Sequence, residues 1–255
     1  MIVLALLFAA TAALYASVGF GGGSTYNALL ILSDVEYAFV PIIALSCNIT
    51  VVTGNVVRYW RAGLIDLKRA APLVLASIPA AWLGGRLAIS EAVFTGLLGA
   101  SLLAAGVLLI AQRAPAQNAD DAPRRRRFLL EPALGGGLGF LSGMVGIGGG
   151  IFLSPILNLF RWAPPKSIAA LASLFILVNS AGGVAGQLMK LGDLGRIGQF
   201  VEFLPLIFAV ALGGFAGNYA GVKILSETMV RRATGILVLY VSARLLIRWA
   251  SIAGF

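Results

Sequence analysis

Runs of about twenty apolar residues recur along the chain, at 37–57, 69–88, 91–111, 166–187, 199–222 and 229–249. Two further stretches, 2–32 and 128–160, exceed thirty residues each. A bilayer core about 30 Å thick is crossed by roughly 20 helical residues. No water-soluble globule of 255 residues has room to bury so many such runs. Only 11% of the residues are charged and 59% are hydrophobic, against about 25% and 45–50% in soluble domains. Lipid must solvate much of the surface, so the expected fold is an all-α polytopic membrane protein.

The two longest stretches are not uniform. Residues 16–25 read ASVGFGGGST and residues 143–152 read GMVGIGGGIF, so G-x-G-G-G occurs twice, 127 positions apart. Ser90-Glu91 and Ser226-Glu227 precede the last apolar run of each half at an offset of 136, which leaves about nine extra residues in the second half, around 189–198. The unit that repeats is a glycine-broken or re-entrant helix followed by three transmembrane helices. The expected organisation is repeat 1 at 1–111, an Arg-rich cytoplasmic linker at 112–127 and repeat 2 at 128–255. The first 18 residues imitate a signal peptide but lack a basic leader, and they are read as part of the mature protein.

If each glycine segment enters and leaves by one face, the repeats are inverted, with 14 Lys/Arg inside and 5 outside. If it crosses once, the repeats are parallel and the count is 13 to 6. The inverted arrangement is preferred by analogy with transporters built on discontinuous helices.

The net charge of +9 lies mainly between apolar runs rather than on a basic stripe, so no nucleic-acid partner is expected. Histidine is absent and Cys47 is the single cysteine, which removes the commonest general base and any internal disulfide. Neither glycine cluster is followed by Lys-Ser or Lys-Thr, as a phosphate loop would require. No enzyme activity, cofactor or metal site is expected.

A helix broken inside the membrane leaves backbone N–H and C=O groups that need partners. The half-helices starting near Gly23-Ser24 and Gly150-Ile151 would aim free N–H groups and a positive dipole end at the break, a ready anion site. The expected substrate-binding residues are Gly19, Gly21, Gly22, Gly23, Ser24, Gly146, Gly148, Gly149 and Gly150, with Asn48, Asn55 and Asn179 as side-chain donors. Asn27 and Asn158 on the short half-helices are similar cases, and Gln187 and Asn218 are weaker ones. Arg86, beside Gly84-Gly85, is a candidate gate. The competing reading of such polar residues is an interhelical hydrogen bond, and for scattered Gly84, Gly85, Gly213, Gly214 and Gly217 it is close packing.

The paired segments SVGFGGGSTYNALLIL and GMVGIGGGIFLSPILNL resemble the TauE/SafE sulfite-exporter family, also called toluene-sulfonate uptake permeases. The resemblance covers essentially the whole chain. It implies a multi-pass inner-membrane transporter, of export type, for small sulfur-containing or organic anions such as sulfite, sulfonates or organic acids. Family members commonly carry a proline shortly after the cluster; Pro155 has that place in the second half, whereas Ala28 has it in the first. The expected mechanism is alternating access at a site between the two breaks. An anion or small-solute channel and a non-transporting membrane scaffold remain alternatives. Candidate partners besides the anion and the bilayer are a coupling ion, proton or sodium, and a second copy as a homodimer.

Overall fold

In the computed structural model the described residues are 1–18, 21–111, 124–160, 162–219 and 227–253. They form α1 (Ile2–Val18), α2 (Gly23–Leu32), α3 (Val40–Arg61), α4 (Leu67–Arg86), α5 (Glu91–Ala111), α6 (Arg124–Val145), α7 (Gly150–Leu159), α8 (Pro165–Asp193), α9 (Ile197–Phe200), α10 (Leu204–Tyr219) and α11 (Glu227–Ala253), with no strand among them. Both long apolar stretches are split at their glycine clusters, into α1 and α2 and into α6 and α7. Within 112–127, expected as linker, α6 already begins at Arg124, in keeping with arginine's good helix propensity; residues 112–123 lie outside the described residues.

Among the described residues, five helical segments are long and apolar enough to cross a membrane: 40–61, 91–111, 166–193, 197–217 and 235–252. The chain is therefore a multi-pass membrane protein. The 69–88 run, which becomes α4, is not one of them. Lys68, Arg69, Arg86 and the internal Pro72 and Pro79 dilute its apolar content.

Contacts fix which way each helix runs. Arg196, just after α8, makes a bidentate bond with Glu36, just after α2 (2.7 and 2.6 Å), and so marks one face of the bundle. α10 leaves from that face. A Cβ on Gly213 or Gly217 of α10 would meet the carbonyls of Ala9 or Ala13 of α1, so α1 runs parallel to α10. The α1–α2 pair therefore enters and leaves by this first face. At the opposite face, Trp162 after α7 donates to Glu131 of α6 through its indole N–H (2.8 Å). Gly135, Gly139 and Gly143 of α6 step along the carbonyls of Leu73, Ser77 and Ala81, so α6 runs parallel to α4. The α6–α7 pair enters and leaves by this second face. α5 and α11 run antiparallel, joined by Ser242 Oγ to the Gly99 carbonyl (2.9 Å) and by Arg248 to Glu91 (2.7 Å).

Glycine at four-residue spacing is what lets these helices touch backbone to backbone. Gly84 lies on the Phe140 carbonyl, Gly85 on that of Gly183 and Gly186 on that of Trp82. These glycines serve packing, as do Gly213 and Gly217; Gly214 is looser, with Val51 at 3.9 Å. Polar capping is local: Asp66 accepts from the backbone N–H of Lys68 and Arg69 at the start of α4 (3.0 and 3.2 Å).

Three outcomes are expected. Gly143→Ala forces a Cβ onto the Ala81 carbonyl and should destabilise by about 1–3 kcal/mol, read as a fall in detergent melting temperature. Gly137→Ala, with nothing within 4 Å, should be neutral or stabilising by about 0.5–1 kcal/mol. The Arg196 hydrogen bond, with its charge, holds the Glu36 carboxyl below its ordinary range. A depressed carboxyl pKa contributes stability above its unfolded value near 4.5, and that contribution is lost as pH falls through the lower folded value. Glu36 is half-exposed, so the effect is small. Glu36→Gln should lower the melting temperature slightly at pH 7, and the difference from the unaltered protein should close as pH falls below about 4.5.

Candidate functional site at the paired helix breaks

The second break is built from backbone that only glycine adopts readily. Gly146, Gly148 and Gly149 have φ of 81°, 84° and 75°. Gly149, left-handed, caps α7. Among described residues of the first break, the demand is for space instead. Gly22 has φ −93°, but a Cβ on Gly23 would sit 2.5 Å from both Asn48 Nδ2 and the Ile147 carbonyl oxygen. Gly19 falls outside the described residues.

The two breaks meet. Asn48 of α3 lies against Gly21 and Gly23 of the first break and Gly148 of the second. Ile176 of α8 lies against Gly21 of the first and Gly148 and Gly150 of the second. Gly21 is half-buried, whereas Gly22, Gly23, Ser24, Gly146, Gly148, Gly149 and Gly150 are buried. The first turns of α2 and α7 begin here, and first-turn N–H groups have no intrahelical acceptor. Both positive dipole ends thus open onto one junction, deep between α3 and α8.

The amides expected to donate to a ligand divide their atoms differently. The break after α6 leaves the last carbonyls of α6, and that of Ile147 in the break itself, without helical partners, and three buried side-chain amides fill that need. Gln187 Nε2 donates to Gly143 (2.9 Å), Asn27 Nδ2 to Val145 (3.0 Å) and Asn48 Nδ2 to Ile147 (3.4 Å). They come from α8, α2 and α3, so the break is held from three sides. Asn48 thereby turns an acceptor, Oδ1, toward Gly21 at 3.0 Å from that residue's Cβ position. Asn55 Oδ1 accepts from Arg58 (3.2 Å), leaving its Nδ2 unpartnered among the described residues. Asn179, fully buried, has neither amide atom partnered among them, and the same holds for the hydroxyl of neighbouring Ser180.

Three further polar side chains of α3 and α8 close onto their own helices. Thr50 donates to the Ser46 carbonyl (3.0 Å), Thr53 to Ile49 (2.6 Å) and Ser173 to Ala169 (3.0 Å). Asn158 reaches Ser154 at 3.5 Å. Arg86 is not brought to the junction. It pairs with Asp193 (3.5 Å) beside Met189 at the first face, and Met189 lies thirteen residues beyond Ile176 on α8, about 20 Å along the axis.

Two residues at the junction carry no sequence signal as site residues. Ile176 reads as one aliphatic among many. Tyr26 is fully buried, and its hydroxyl has no partner among the described residues; its ring lies 2.9 Å from the Cβ position of Gly22. Among the described residues, no cluster of three or more His, Cys, Asp or Glu could hold a metal ion.

Comparison with known proteins identifies the family. The model for "Sulfite exporter TauE/SafE" matches residues 3–245. The chain is 29% identical over 246 residues to the probable membrane transporter protein y4hK of Sinorhizobium fredii, covering 95% of this chain and 97% of that one. It is 25% identical over 248 residues to the probable membrane transporter protein YunE of Bacillus subtilis, covering 87% and 89%. No solved structure matches. A family match over nearly the whole length, on a bundle of membrane-spanning helices, places this membrane transporter in the sulfite exporter TauE/SafE family.

Proposed function

We propose that the protein carries small organic or sulfur-containing anions, such as sulfite or sulfonates, across the inner membrane by alternating access, in the direction of export. The observation that carries this reading is the convergence of two half-helix N-termini, α2 and α7, on one buried junction. Each terminus offers about half a positive charge and free N–H groups. A sulfonate or sulfite oxygen cluster suits such donors, and excluding water strengthens every contact. Tyr26 adds a hydroxyl beside Gly22, and Ser24 lies in the first turn of α2.

Alternating access requires two bodies that can rock about the site, and the packing supports two inverted repeats. α1 packs on α10 as α6 packs on α4; α2 meets α11 as α7 meets α5; α3 faces α8 and α5 faces α11. Exchanging the halves leaves this set of neighbours unchanged. Among the described residues Arg86, Lys190, Arg196, Arg244 and Arg248 lie toward the first face, and the inverted reading counts these 5 Lys/Arg outside and 14 inside along the sequence. By the positive-inside rule the second face is cytoplasmic.

Vesicles reconstituted with purified protein test the reading. Sulfite or a small sulfonate should move saturably and exchange against unlabelled anion inside; flux that rises linearly with concentration, or none, would count against a carrier. Gly21→Ala puts a Cβ 3.0 Å from Asn48 Oδ1 without demanding a left-handed backbone. It should fold yet lose roughly tenfold in apparent affinity, about 1.4 kcal/mol. Gly136→Ala, 3.9 Å from its nearest neighbour, should transport normally.

A further inference from the structure

The Ile147 carbonyl dictates the orientation of the Asn48 amide. A carbonyl accepts only, so the amide must turn Nδ2 toward it, and it does so at 3.4 Å. The flipped amide would set two acceptors against each other. Oδ1 is therefore the atom committed to the junction, 3.0 Å from the Cβ position of Gly21. Asn48 is fully buried, and Oδ1 has no hydrogen-bond partner among the described residues. A buried acceptor without a donor costs free energy until something supplies one. A bare oxyanion cannot, because it brings only acceptors.

Ile176 faces the same glycines from α8 and offers no polar atom. The junction thus has one hydrogen-bond-accepting wall and one apolar wall, with two N–H-rich helix starts between them.

Resting on the reading of the junction as an anion site, we propose that the anion it binds most tightly carries a hydrogen-bond donor close to its charged head. The head lies on the starts of α2 and α7, its O–H or N–H faces Asn48 Oδ1, and its carbon skeleton lies along Ile176. Asn48 is on this account the specificity-determining residue that separates hydroxylated organic anions from their plain alkyl counterparts.

A matched pair of probes tests this without altering the protein. 2-Hydroxyethanesulfonate and propane-1-sulfonate have the same charge and nearly the same shape, with a hydroxyl in one replaced by a methyl in the other. Calorimetric titration of the intact protein in detergent should give a dissociation constant roughly tenfold lower for the hydroxylated anion, the effect of satisfying one buried acceptor. Asn48→Ala should bring the two within about twofold. Equal affinities in the unaltered protein, or tighter binding of propane-1-sulfonate, would overturn the proposal and leave the anion site standing. A preference that survives Asn48→Ala would overturn the role of Asn48. Binding of neither probe would overturn the anion-site reading itself. The comparison in the unaltered protein decides the matter even if the variant does not fold.

Discussion

A helix that stops in the middle of a membrane leaves carbonyl groups that nothing in lipid can satisfy. The end of α6 and the break beyond it face the same need inside the helix bundle, and the structure answers with the amides of Gln187, Asn27 and Asn48, given to the carbonyls of Gly143 and Val145 of α6 and Ile147 of the break. Those amides come from α8, α2 and α3, so one local deficit ties four elements of both halves together. Whatever moved any of these helices would expose a buried carbonyl at a cost of about 1–3 kcal/mol. The meeting of the two glycine breaks follows from this, because Asn27 and Asn48 can reach the second break only when the first lies against it.

The same arrangement separates the structural from the chemical duties of the glycine clusters. The second break needs glycine for its left-handed backbone, and the described part of the first needs it for close approach. Elsewhere glycine acts as a spacer, letting α6 lie on α4 and α10 on α1 with carbonyls where side chains would otherwise stand. Identical spelling thus has different physical causes at different places, and only neighbours distinguish them.

Much of the helical organisation was legible because it rests on long-range patterns: apolar runs set the helices, and paired clusters marked where two of them break. The junction was less legible. Asn48 and Asn55 share a helix face in sequence, yet one turns to a carbonyl of another helix and the other to Arg58 three residues on. A sequence shows that an amide is buried-prone but not which of its atoms a neighbour will claim. Ile176 and Tyr26 escaped because an aliphatic or aromatic residue within an apolar run carries no mark of what it faces. Arg86 looked suggestive beside Gly84-Gly85, but those glycines face the backbone of α6 and α8, and the guanidinium lies at the bundle end with Asp193.

The central claim is that α1–α2 and α6–α7 enter from opposite faces and meet inside the membrane. Replacing the one cysteine, Cys47, by alanine gives a background in which single cysteines can be placed at Ile2, Ser33 and Leu159, all exposed. Labelling by a membrane-impermeant maleimide in oriented vesicles should find positions 2 and 33 accessible from one side and position 159 only from the other. Positions 2 and 33 labelled from opposite sides, or 33 and 159 from the same side, would contradict the account.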